Sequence, residues 1–426
     1  MSRRSPSRIA SPLGVLVPGL QVLGLRVPAL RVPALRVLGL LIFGLTFGAP
    51  DARAEDPRTI IADRTLLPDG TLAPGLAVVL AADGTIEGVV PSTTESLPLP
   101  KIEFGPGSVL TPGLHELLSS IGAPGETEET IEPFDIFASA RVSIDPLRRD
   151  LDRARLGGVL HATVAPDGRN PISGRSVTFV TGASPTLKEI TAAPHGPFVC
   201  AVGESALDPN RDPTSRSGLR LAFEAWLEAG GRALFANDTQ AGVAAPLVHC
   251  TEAMDVRTAL DLFTERFPTL ILASGSTEAA ALLARSGIGR GEPIVVGPYT
   301  TKTPIPEIQG ATKLTDSGFE LAFRGGMPEA GEESLRDSAR RAVSRGLDPA
   351  AARRAMTVNP ARVVGLERIL GSIAPGCRAD LAVFTGDPLL APSQAVAVFE
   401  RGVQQSIVEP SSTDISEIPH RQETRR

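Results

Sequence analysis

Two side chains of this sequence stand at neighbouring strand ends and are suited to joint chemistry. Glu204 closes the apolar run "PFVCAVG", and His249 lies in "APLVHC". A carboxylate and an imidazole can hold a metal ion or move a proton. A catalytic zinc site uses about three protein ligands and one water. Two donors, with no aspartate for general-base work, fall short of that. Cys250 cannot join His249, because successive strand residues point to opposite faces. For His249 the expectation is a hydrogen-bonded histidine in the mouth of the fold, with a ligand role as the alternative. For Glu204 it is a carboxylate paired with an arginine of "RDPTSRSGLR", with a functional acid as the alternative.

Other polar groups are candidates of a weaker kind. His115 and Glu116 adjoin in "LTPGLHELLSSIG" (110–122), a pattern that suits surface or interlobe packing. His161 lies inside an apolar strand and reads as a satisfied core residue. Asp167, Arg169 and Asn170 form a polar loop, "APDGRNPISG", whose glycines serve turn geometry and whose side chains could contact a small ligand. The sequence has no GxSxG, P-loop, HExxH or dinucleotide fingerprint.

These groups need a scaffold, and the apolar pattern supplies one. Runs of four to seven apolar residues fall at 108–114, 158–165, 176–182, 197–203, 245–250, 269–274, 293–297 and 319–323. Helical patterns lie between most of them. Val256, Leu260, Phe263 and Phe267 recur at helical spacing within 252–267, "SRSGLRLAFEAWLEAG" is amphipathic, and Asp348-Pro349 starts another helix with an N-cap and a proline at N1. Continuous apolar strands alternating with helices predict an α/β fold, a (β/α)8 TIM-like barrel. The connections after the second and third strands are too short or too rich in glycine and proline for full helices, so the barrel should be irregular there. Residues 55–110 carry short strands with turns at Asp69-Gly70 and Asp83-Gly84, and 371–409 return to short strands that need partners. A small composite β-sandwich lobe built from both chain ends is the closure this predicts, around a barrel over 111–370, with a polar tail at 410–426.

The stretches "VLTPGL", "GVLHATVAPDGRNPISG" and "MTVNPARVVGLERILGSIAPGCRADLAVFTGDPL" (356–389) together resemble the imidazolonepropionase-like members of the amidohydrolase superfamily, over residues 58–405. The resemblance implies hydrolysis of non-peptide C–N bonds, often in cyclic amides, by a metal-activated water at the top of the barrel. It also implies positions for the metal ligands. The paired histidines of the first strand fall on Leu118 and Ser120, and the next His-x-His on His249 and Thr251. A further histidine falls near Ser274 and the last aspartate near Gly325 or Gly326, while Glu204 is kept and no lysine stands where a bridging one would. Glu204 and His249 are thus the remnant metal positions. A degenerate hydrolase is expected, with no cofactor; zinc belongs to the alternative of an active site rebuilt around these two. A non-catalytic binding or structural subunit is the remaining alternative.

Composition narrows the partners. Lysines number four against 38 arginines, but the net charge is −6, which argues against nucleic acid. The first 54 residues hold seven arginines and one acid, a net of +6 that leaves −12 on the rest. A basic start, the apolar run "VLGLLIFGLTFG" (37–48) and Ala52-Arg53-Ala54 before Glu55 read as a cleaved export signal, with an uncleaved anchor as the alternative. The run is shorter than the ~20 residues of a membrane span, so an exported protein with no stable span after cleavage is expected. Cys200, Cys250 and Cys377 form no CxxC or Cys/His cluster and read as buried thiols.

Overall fold

The computed structural model describes residues 58–405 apart from 126, 183, 185, 265 and 273–276. The expected export signal, the polar tail and Ser274 lie outside the described residues.

The lobe consists of two sheets. One orders its strands Ile86–Pro91, Leu76–Leu80, Thr59–Ile61, Lys101–Glu103. The other runs Val403–Gln405, Ala395–Glu400, Leu381–Phe384, Val109–Pro112, Arg64–Leu66, Leu72–Pro74. Both chain ends meet in this second sheet, where Leu381 pairs with Pro112 and Phe384 with Val109 in an antiparallel ladder. Strand alternation explains why it holds. Leu381 and Val383 face the lobe core with Ile60, Val78 and Phe399, while Ala382 and Phe384 face the main core. The two Asp-Gly turns form as expected, each Asp Oδ1 accepting from the amide of the threonine two residues on.

Val109–Pro112 therefore belongs to the lobe, which corrects the expectation that 108–114 opens the barrel. The chain crosses over at Gly113, where any side chain would place a Cβ 2.5 Å from that of Leu160. The barrel then begins with β1 (Leu114–Ser119) and β2 (Val159–Val164), followed by β3 (Ile172–Arg175) and β4 (Val177–Val180). Five more strands complete it, β5 (Phe198–Ala201), β6 (Leu247–Cys250), β7 (Thr269–Leu272), β8 (Pro293–Val296) and β9 (Glu320–Phe323).

Strands β1 and β2 are parallel, as are β5 through β9 in sequence. Between them β4 runs antiparallel to β2, and β3 antiparallel to β5. The barrel is thus a TIM-like one with seven parallel strands and one broken antiparallel member, where eight parallel strands were expected. The irregularity falls where the connections were too short for helices. At the other seam β9 meets β1 without a ladder. The His115 amide bonds the Met356 carbonyl and the Phe323 amide the Ala355 carbonyl, so the end of the helix Pro349–Arg354 bridges the two edges.

The quoted C-terminal motif has mechanical roles. Asp348 caps the helix Pro349–Arg354 by accepting from the Ala351 amide at 2.8 Å. Asn359 is buried and donates to the Leu321 carbonyl at 2.7 Å, tying its helix to β9. The helix expected over 252–267 ends at Leu262, because Phe263 leaves helical geometry. The three cysteines are buried and free. No helix among the described residues is long and apolar enough to cross a membrane.

Candidate functional site at the barrel mouth

Inside the barrel, Leu117, Val199, Leu247, Ile271, Val295 and Ala322 form one buried apolar layer. A strand repeats its facing every two residues, so His249 follows Leu247 and Arg324 follows Ala322 on the inner side. Both emerge at the C-terminal strand ends, the face that carries the active site in TIM-barrel enzymes. Here a cavity of about 300 Å³ is lined by Leu118, Ser120, Asp167, His249, Arg324 and Glu329, among others. A larger, mainly apolar cavity of about 410 Å³ lies at the opposite strand ends, between Phe198, Phe235 and Phe263. It lacks converging histidines and buried carboxylates, so the mouth is the candidate site.

His249 is held in place by Gly168. That glycine has φ +77, and a Cβ there would come 2.4 Å from the imidazole Cδ2, so only a bare backbone lets the loop cover the ring. The Nε2 of His249 is buried with no hydrogen-bond partner. Burial, and then the charge of Arg324, push its pKa down to about 3, so the ring is neutral at physiological pH.

Arg324 directly follows β9. Its Nε donates to the Gly297 carbonyl at 2.7 Å, and its amide bonds the Val296 carbonyl. Glu116 is fully buried in β1, and its Oε1 accepts from the Gly325 and Gly326 amides at 2.6 and 2.9 Å. Burial raises this carboxyl to about 7 against the pull of those amides, the Met327 amide and Arg324. Between the two, Leu118 takes φ +52 where β1 advances one residue more than β2, a bulge that turns the strand end into the cavity. Ser120 donates to Glu329 at 2.8 Å across the rim.

The other sequence candidates are distributed as follows. Glu204 is exposed in a short 3-10 turn outside the cavity lining, and the structure does not bring it to His249. The arginine expected to pair with Glu204 has other partners. Arg216 meets Asp255 and Glu252, and Arg211 donates to the Asn170 side chain and the Arg169 carbonyl. Of the polar loop, Asp167 lines the cavity. Arg169 places its amide on Glu128, and Asn170 is buried against Glu129 and Arg211. Thr251 is exposed, its amide capped by Asp255.

His115 and Glu116 are both fully buried, so neither is a surface residue. The His115 ring bonds Thr163 at 2.8 Å, which in turn bonds Thr178. His161 meets Asp380 of the lobe at 2.9 Å, and its ring centroid is 5.7 Å from that of His115. Arg324 and the buried state of Glu116 were not anticipated. The signal for Arg324 was its position two residues beyond an inward-facing alanine.

A divalent metal does not fit these side chains. Among the described residues no three His, Cys, Asp or Glu groups converge to hold an ion. The carboxylate of Glu116 is engaged by backbone amides behind the turn 325–327, and the group beside His249 is a guanidinium. A fixed positive charge opposes a dication where a metal site needs a compensating carboxylate.

The model of the amidohydrolase family matches residues 228–409, and over that stretch the chain is similar to the amidohydrolase superfamily. A 59-residue stretch is 52% identical to adenine deaminase 3 of Rhizobium meliloti strain 1021, spanning 14% of this chain and 10% of that protein. An amidohydrolase from Thermotoga maritima MSB8 superposes with a TM-score of 0.69 at 22% identity, covering 81% of this chain and 98% of that one. Molinate hydrolase does so at 0.53 and 16% identity, covering 83% and 95% of the two chains. A prolidase complexed with N-methylphosphonate-L-proline gives 0.52 and 17%, covering 82% and 98%. At these identities the structural likeness is one of fold.

Proposed function

We propose that this chain is an exported, catalytically degenerate member of the amidohydrolase superfamily that binds a small molecule at the barrel mouth and does not hydrolyse it through a metal. The observation that carries this reading is the replacement of ligands at the mouth. Leu118, Ser120 and Gly326 line the mouth, with the Arg324 guanidinium beside the remaining His249, while Thr251 after β6 and Gly325 after β9 stand outside the lining. Leucine and glycine side chains donate no electron pair, and a serine hydroxyl is a weak ligand unless deprotonated. Neighbouring groups orient metal ligands but do not replace them. Export is supported by the basic, then apolar, then small-residue order of the first 54 residues.

The test has two arms. Protein purified without chelator is expected to hold well below one equivalent of zinc, iron or manganese and to show no metal-dependent turnover of cyclic amides or N-acyl substrates. Turnover that depends on added metal would overturn the degenerate reading. Intact mass of material recovered from the exporting host should place the N-terminus at Glu55. Retention of residues 1–54 on a soluble cytoplasmic protein would overturn export.

A further inference from the structure

We propose that the mouth is a carboxylate site in which the Arg324 guanidinium, beside the His249 ring, receives a short aliphatic monocarboxylate. The inference rests on the metal-free reading above and names the ligand class for the same cavity. Arg324 is anchored through Nε to Gly297, and its own carbonyl accepts from Ser338, which fixes the stem. The two terminal amino groups have no hydrogen-bond partner among the described residues, and the side chain lines the cavity. A guanidinium presents parallel donors that match the two oxygens of a carboxylate. The imidazole of His249 lines the same cavity, with its Nε2 buried beneath the Gly168 loop.

Size and charge set the rest of the specificity. About 300 Å³ is at the small end of ligand pockets. Leu118, Ala165, Pro166 and Met327 offer apolar wall for a short chain. Glu329 stands at the rim and disfavours di- and polyanions, so phosphate and citrate are poor ligands while a monocarboxylate is tolerated.

The test uses the full mature chain after chelator treatment, with propionate as the probe. Propionate should raise the melting temperature and show saturation transfer, and propionamide, propylammonium and inorganic phosphate at equal concentration should not. Arg324→Gln should weaken propionate binding roughly ten- to hundredfold, the range for losing a charged hydrogen-bonding partner. Should Arg324→Gln not fold, Ala165→Leu fills the cavity, leaves the guanidinium in place, and should abolish binding equally. Equal protection by propionamide, or propionate binding that survives in both variants, overturns the inference. No propionate binding in a protein without metal-dependent turnover overturns this inference alone. Propionate binding that appears only after zinc is supplied overturns the metal-free reading as well.

Discussion

Two pairs of polar groups set the seam and the mouth of this molecule apart. At the seam between barrel and lobe, His161 meets Asp380, which also accepts from the Arg401 amide and pairs with Arg378. Burial alone would raise the Asp380 carboxyl, but the hydrogen bond and charge of His161, with Arg378, hold it below the usual range. At the mouth, the Nε2 of His249 has no partner and both His249 and Arg324 line a cavity, whereas the unpartnered Nδ1 of His161 at the seam lies outside that cavity's lining. Buried polar groups are ordinarily paired. A paired one is explained by the fold, whereas an unpaired one at a cavity leaves a place for a ligand.

The largest effect should come from breaking the seam. Asp380→Ala strands His161 and Arg378 in the interior, and losing one partner of a buried pair costs roughly 3–5 kcal/mol. Urea unfolding should show that loss, with Asp380→Asn intermediate. A loss well under ~1 kcal/mol would mean that the seam is not fastened there.

The seam was largely legible in sequence, and the mouth was not. "ADLAVF" demanded a strand partner from the N-terminal lobe and found one in Val109–Pro112, since strand pairing is dictated by apolar alternation. His161 read as a core residue from the strand around it. Glu116 did not read as buried, because its partners Gly325 and Gly326 lie 209 and 210 residues away in a turn with no apolar signature. The exclusion of Glu204 from the cavity depends on how the chain turns after β5, which no local periodicity encodes. The lobe's claim on 109–112 was hidden as well, since a strand buried on both faces reads the same in a lobe as in a barrel.

The next effect is a pH dependence at the mouth. The Glu116 carboxyl is raised from the ordinary 4.5 to about 7, chiefly by burial. Its contribution to stability is therefore full below 4.5 and lost as pH rises through 7. His249 has the opposite sign. With its pKa lowered from 6.5 to about 3, again chiefly by burial, it contributes fully above 6.5 and loses that contribution as pH falls through 3. Between 4.5 and 6.5 the two oppose each other. Glu116→Gln keeps an acceptor and removes the charge, so its stability relative to the parent should grow by up to about 3 kcal/mol between pH 4.5 and 8. A difference that stays constant across that range would show Glu116 to be ionised at an ordinary pKa.

Gly168→Ala should cost less, roughly 1–3 kcal/mol, from its positive φ and the imidazole beneath it. It should also displace the His249 resonances in an NMR spectrum, and unchanged shifts would argue that the loop does not cover the ring. Glu204→Ala should have the smallest effect, leaving both the urea midpoint and propionate binding unchanged. A loss of binding would bring Glu204 back to the mouth.

The difference between seam and mouth matters to function only if the open donors at the mouth await an organic ligand and not a metal. Elemental analysis of the full chain purified without chelator, on the parent and on His249→Ala, tests this most directly. Well below one equivalent of zinc, iron or manganese is expected in both. Stoichiometric metal in the parent, lost from His249→Ala together with a hydrolytic activity, would contradict it.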